Sequence, residues 1–239
     1  MKLDILAFSA HPDDAELGCG GTLIKHAKAG LKVGVVDLTR GELGTRGTPA
    51  QREQEAANAA KIMGLAVRAN LGLPDGFFLN EREHQLKLVT AIRTYRPDVL
   101  LANAVFDRHP DHGRGAEIAN TAVFLAGLAK VVTTDANGKS QEPWRPKALY
   151  HYIQSQPMKP DFVVDISNEW NQKMESIQAF QSQFYDPNSK EPATYISTPE
   201  FMRMLEARAI DTGHAIGVKY GEGFVTRRWL GVNKLTDLI

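Results

Sequence analysis

Imidazole and carboxylate groups crowd into two short runs of the chain, Ala10-His11-Pro12-Asp13-Asp14 and Arg108-His109-Pro110-Asp111-His112. Together these residue types can supply a metal cage and an acid/base pair. A divalent site built for hydrolysis takes three ligands from His and Asp or Glu and leaves one position open for water. His11, Asp14 and His112 fit that description: a tight turn lets His11 and Asp14 point at one atom while Asp13 faces the water. His109 and His112 share a face at the start of a helix, with Asp111 between them as a partner for an imidazole N–H. The alternative is that both runs are loop caps, since His and Asp are common at helix N-termini. Two such runs, each after an apolar strand, weigh against it.

A sheet must bring the two runs together. The first follows an apolar stretch at 3–8 and the second another at 99–102, and in an open parallel α/β sheet ligands collect outside the carboxyl ends of the strands. Strand patterns at 3–8, 32–38, 67–71 and 98–103 alternate with helical patterns at 15–29, 49–63, 81–95 and 115–129. The second helix has clear end signals: Thr48 and Gln51 at capping-box spacing, Pro49 at the first helical position and Gly64 at the stop. Leu73-Pro74-Asp75-Gly76 reads as a turn and 133–146 as a polar surface excursion. Strands follow at 148–153 and 161–166, with Ser167 capping a helix to about 183 and Thr198-Pro199 opening another to about 211. The loop 184–198 is expected to be a lid or a subunit contact. The pattern predicts a single α/β domain over 1–239, Rossmann-like, with a mostly parallel sheet and helices on both faces.

Composition narrows the function classes. Lys+Arg 28 balances Asp+Glu 28 in 239 residues, and no block of like charge occurs, which removes the electrostatic footprint of a nucleic-acid binder. The N-terminal apolar run is too short for a signal peptide or a membrane span, so the expected address is the cytoplasm. Cys19 is the only cysteine and forms no intramolecular disulfide. The surrounding Gly18-Cys19-Gly20-Gly21 is not a dinucleotide fingerprint, because Leu23 stands where the third glycine is needed. His26, His84 and His151 have no ligand-spaced partner, whereas His214 lies near the 217–224 segment and is left open.

Glu42, Arg46 and Arg52 lie after the second strand or at the start of its helix, bordering the same crevice. For Arg52 the competing reading is a surface ion pair with Glu53 or Glu55. Arg108 is the first choice for gripping a substrate carboxylate, against a simple pairing with Asp107 or Asp111. Glu222 and Tyr220 are placed on the far wall, with a strand-edge role equally open for Tyr220.

With Ala10-His11-Pro12-Asp13-Asp14 near its start and His109-Pro110-Asp111-His112 later, the sequence resembles the LmbE-like (PIG-L) family of zinc-dependent N-acetylglucosaminide deacetylases. The likeness extends through 38–47 and Arg52-Glu53 to Tyr220-Gly221-Glu222-Gly223-Phe224. It departs from the family where Ala15 precedes Glu16. The resemblance implies one zinc per chain on His11, Asp14 and His112, a His2Asp set that also accepts iron. It implies Asp13 as the general base that serves the attacking water and then the leaving amine. It further implies His109, kept protonated by Asp111, as the oxyanion partner, and an acidic residue with an Arg among Glu42, Arg46 and Arg52 on sugar hydroxyls. The branch it most resembles acts on N-acetylglucosaminyl malate in bacillithiol synthesis. Another small N-acetylglucosaminide, such as a chitooligosaccharide, is the runner-up, and a non-catalytic nucleotide-binding module is the contrasting class. A small glycoconjugate partner is expected, with no nucleic acid or membrane, and homo-oligomerisation is left open.

Overall fold

Ile5, Leu6, Ala7 and Phe8 are all buried, because the strand they form, β1 (Ile5–Ser9), lies inside a sheet covered on both faces. The computed structural model describes residues 1–238. The other strands are β2 (Val33–Thr39), β3 (Val67–Leu73), β4 (Val99–Ala102), β5 (Ala148–Tyr152), β6 (Phe162–Asp165) and β7 (Gly221–Val225), in the order β3-β2-β1-β4-β5-β7-β6. The first five in that order run parallel, and β7 is antiparallel to both β5 and β6. The helices are α1 (Asp14–Lys28), α2 (Pro49–Met63), α3 (Arg82–Tyr95), α4 (Pro110–Ala126), α5 (Trp170–Gln178) and α6 (Pro199–His214). This is the Rossmann-like arrangement the alternation predicts.

Strand periodicity divides the core in two. Leu6, Phe8, Val36, Leu38 and Leu100 pack against Leu88 and Ile92 of α3 and Ile118 of α4, while Ile5, Ala7, Val33, Val35 and Leu101 pack against Leu23 and Ile24 of α1. Strand β1 pairs with β2 on one side and β4 on the other. The chain thus reverses its winding between β1 and β4, and a crevice opens at their carboxyl ends. Both His/Asp runs leave the sheet there.

Helix α1 is broken by its glycines. Cys19 has the non-helical pair φ −143°, ψ 16°, so the N–H groups of Gly21 and Thr22 point away from the helix ladder. Glu222 of β7 accepts both, at 2.9 and 2.7 Å, and its charge is balanced by Lys173 Nζ at 2.6 Å. Glu222 therefore caps the second half of α1 and is not the substrate contact expected of it. A carboxylate at a helix N-terminus satisfies orphan donors and meets a favourable dipole. Gly18 lets this broken helix approach the sheet: a Cβ there would lie 2.2 Å from the Tyr152 ring, whose hydroxyl donates to Phe8 O at 3.0 Å.

Other local expectations shift for identifiable reasons. Thr48 accepts Gln51 N at 3.2 Å and Gly64 takes φ 71°, as the end signals of α2 require. Helix α4 begins at Pro110, earlier than the pattern near 115 indicates, because His109 is its N-cap and places His112 in the first turn. Ser167 does not cap α5. Its hydroxyl donates to Asp165 and accepts Tyr220 N, and Glu169 takes the N-cap position. No helix among the described residues is long and apolar enough to cross a membrane.

Replacing glycine by alanine inside a helix ordinarily stabilises by up to about 1 kcal/mol. For Gly18→Ala the overlap with Tyr152 reverses the sign, and urea unfolding should show a loss of about 1–3 kcal/mol.

Candidate metal centre and reaction cavity

Asp14, the first residue of α1, sits between two imidazoles. Its Oδ2 is 3.4 Å from His11 Nδ1 and its Oδ1 is 3.0 Å from His112 Nε2. Each ring turns its other nitrogen to a second carboxylate: His11 Nε2 donates to Asp75 at 3.0 Å, and His112 Nδ1 donates to Asp107. Two amides steady Asp14 as well, Asn103 Nδ2 at 3.1 Å and Gln154 Nε2 at 2.9 Å. His11, His109 and His112 also present nitrogens within 4.8 Å of one another.

This donor set fits a divalent cation. With each outer N–H committed to Asp75 or Asp107, a neutral imidazole would face the Asp14 carboxylate with a lone pair, which is repulsive. Positive charge must lie between them, as a second proton on each ring or as a cation. Burial works against charge on His11, but Asp111, Asp14 and Asp75 override it and raise its pKa well above the ordinary value. Burial likewise opposes charge on His112, and Asp14 and Asp107 carry it up to about 9. Asp14, despite burial, is held well below the usual carboxylate range by the same two rings. A cation bound by His11, Asp14 and His112 would replace those protons. The carboxylates behind the imidazoles are the partners that metal-bound histidines commonly have.

Asp13 is set by backbone strain. Its φ of 116° is rare for a side-chain-bearing residue and costs about 1–3 kcal/mol, typical of a functional turn. Burial raises its pKa to about 7, with Arg52 lowering and Asp14 raising it. Arg52 Nη2 lies 3.3 Å from Asp13 and donates to Pro12 O at 2.7 Å, while Nη1 donates to Gly41 O at 3.1 Å. Arg52 therefore braces the turn and the acid, neither gripping sugar hydroxyls as expected nor pairing at the surface with Glu53 or Glu55.

The Asp111 carboxylate does not orient His109. It accepts Gly76 N at 2.8 Å, pairs with Arg114 at 2.9 Å and lies 3.4 Å from His11. His109 Nδ1 instead accepts the backbone N–H of Asp111 at 3.3 Å, which leaves Nε2 to carry the ring proton. Burial and the charges of His11 and His112 lower its pKa, against the protonated ring the resemblance implies.

A cavity of about 470 Å³ opens over these groups, and His11, Asp13, His109, His112, Arg46 and Arg108 all line it. Arg46 pairs with Glu191 at 3.3 Å and donates to Ser189 at 2.8 Å. Arg108 lies 4.2 Å from the Tyr195 ring centroid, so the 184–198 loop forms part of the wall. Glu42 is a turn brace that accepts Asp75 N at 2.9 Å and Arg40 N at 3.2 Å. Tyr220 stacks on Trp170 at 4.4 Å and donates to Glu206, and His214 is exposed in the last turn of α6. Sequence reasoning missed Asp75, Asp107, Asn103, Gln154 and Arg208. The strand-end rule could have found Asn103 after β4 and Gln154 after β5, and Asp75 lay in plain view in a turn.

A doubly wound sheet whose switch point holds two imidazoles around one carboxylate, beside a second buried carboxylate, defines a metal-assisted hydrolase. The family model for GlcNAc-PI de-N-acetylase matches residues 6–123. Diacetylchitobiose deacetylase of Thermococcus kodakarensis is 30% identical over 190 residues, covering 75% of this chain and 70% of that protein. Against another curated relative the match spans 53% of its length. A conserved protein of Thermus thermophilus superposes with TM-score 0.85 at 40% identity, over 97% of this chain and 98% of that one. The N,N'-diacetylchitobiose deacetylase of Pyrococcus horikoshii, complexed with its inhibitor, gives 0.78 at 26%, over 98% and 88%. The chain belongs to the PIG-L, or LmbE-like, deacetylase family.

Asp75→Ala and Asp107→Ala each remove the carboxylate behind one imidazole. Both should weaken metal binding by about 10- to 100-fold, read by competition with a chromophoric chelator, with the circular dichroism spectrum unchanged.

Proposed function

We propose that the chain, acting as one catalytic domain, removes the acetyl group from an N-acetylglucosamine conjugate, with zinc on His11, Asp14 and His112. The observation that carries this reading is Asp13, a strained, buried carboxylate with a pKa near neutrality, next to the imidazole-bracketed Asp14. When bound, the metal supplies Lewis acidity and lowers the pKa of water to about 7. Asp13 takes a proton from the attacking water and passes it to the departing amine. His109 donates its Nε2 proton to the oxygen that gains charge as water adds to the acetyl carbon. Arg52 keeps Asp13 aimed, and the cavity walls hold the sugar.

For the aglycone we favour malate. Arg108 stands exposed on the cavity wall against Tyr195, and a guanidinium there is a bidentate partner for a carboxylate. The named activity of the two chitobiose deacetylases supports a neutral N-acetylated oligosaccharide as the alternative. The absence of a disulfide partner for the buried Cys19 accords with a cytoplasmic enzyme.

Acetate release from N-acetylglucosaminyl malate and from diacetylchitobiose, measured side by side, separates the two. Arg108→Ala should raise KM for the malate conjugate by about tenfold and leave the neutral sugar unaffected. Preference for the neutral sugar would remove the malate assignment. Asp13→Asn should retain the metal and lower kcat by about 10²- to 10⁴-fold.

The pH profile follows from the same residue. Only ionised Asp13 accepts a proton, so kcat/KM falls tenfold per unit below its pKa. Burial sets that value at about 7 without a cation, and positive charge on neighbouring Asp14 moves it lower. The acid limb should therefore lie at or below pH 7 and vanish in Asp13→Asn.

A further inference from the structure

Two cavities meet beside the candidate metal centre. The reaction cavity and a second one of about 430 Å³ share Leu17, Ser155, Leu205 and Arg208. The second opens to solvent between Pro157, Ala207 and Asp211, all exposed at its rim. Arg208 of α6 stands at the neck. Its guanidinium donates to the backbone oxygens of Gln154 and, at 3.4 Å, Leu17, and it forms no ion pair among the described residues. The side chain of the same Gln154 donates to Asp14 and lies 3.3 Å from His112 Nε2. One residue thus separates the cation from the reacting centre.

A partly buried guanidinium satisfied only by carbonyl groups keeps its attraction for an anion. Burial pushes its pKa down, and the charges of Glu222 and Asp107 do not offset this. Hydrolysis of the amide supplies an anion at that place: the C–N bond breaks, a C–O bond forms from water, and both protons of the water end on the nitrogen, which leaves as an ammonium while the acid leaves as a carboxylate. The other product is acetate, a small carboxylate of the kind a guanidinium binds.

We propose that Arg208 is a carboxylate-binding residue at the neck of a second exit, where it takes the acetate released at the metal centre. The proposal rests on the deacetylase reading. Arg108, on the Tyr195 wall, serves the substrate end of the cavity, and Arg208 serves the product end.

The test has two arms on the metal-loaded enzyme. In the first, phenylglyoxal modification of arginines is mapped by mass spectrometry with and without acetate. Acetate should slow modification of Arg208 and leave exposed Arg228 unchanged. Equal rates at Arg208 overturn the proposal, and because this arm needs no turnover it stands apart from any failure of the substrate assignment. In the second, Arg208→Met is assayed with whichever N-acetylglucosaminide is hydrolysed. Its inhibition constant for acetate should rise about tenfold at unchanged metal content, with partial recovery in Arg208→Lys. Unchanged acetate inhibition together with a raised KM for the malate conjugate would assign Arg208 to substrate and overturn the proposal. Should Arg208→Met fail to fold, the first arm decides alone.

Discussion

Asp14 shared between two imidazoles is the contact to which the rest of the site answers. Three ionisable groups out of water cannot persist without compensation, and the neighbouring residues are arranged to provide it. Asn103 and Gln154 donate to the carboxylate from the ends of two strands, while Asp75 and Asp107 draw the outer N–H of each ring away from it. None of these four belongs to the two His/Asp runs. The runs carry the imidazoles and Asp14, and separate loops of the same sheet end fix their orientation.

The parts of this arrangement with local causes were legible in the sequence. Alternating apolar and helical stretches, Pro49 with Gly64, and the position of both runs after strands led to the sheet and to its switch point. Convergence of His11 and Asp14 with His112 follows from that topology, because β1 and β4 are neighbours. Side-chain partners were harder to read. Glu42, Arg52 and Glu222 have types suited to binding a sugar or an acid, yet backbone groups, Asp13 and Lys173 engage them, and such contacts depend on a fold that spacing alone does not describe. Asp111 misled for a subtler reason: beginning α4 at Pro110 gives His109 the N–H of residue 111 and turns the carboxylate toward Gly76 and Arg114.

Formal neutrality hides a division of charge within the cavity. Its floor is carboxylate and imidazole, whereas its walls carry Arg46, Arg108 and Arg208. Among the described residues, only Arg46 of those three is paired with a carboxylate side chain. Groups suited to a cation and groups suited to anions thus share one cavity. Total charge reports on solubility and long-range steering, and reveals nothing about a separation on this scale.

Glu222 holds Gly21 and Thr22 from about two hundred positions away in the sequence. Because α1 cannot complete its own hydrogen bonding after Cys19, the helix that begins with Asp14 depends on β7 to finish it. A nascent chain on the ribosome would therefore display both His/Asp runs long before it could hold them rigid. Contacts of such sequence separation make folding slow, and here they tie the helix that carries Asp14 to a strand from the far part of the fold.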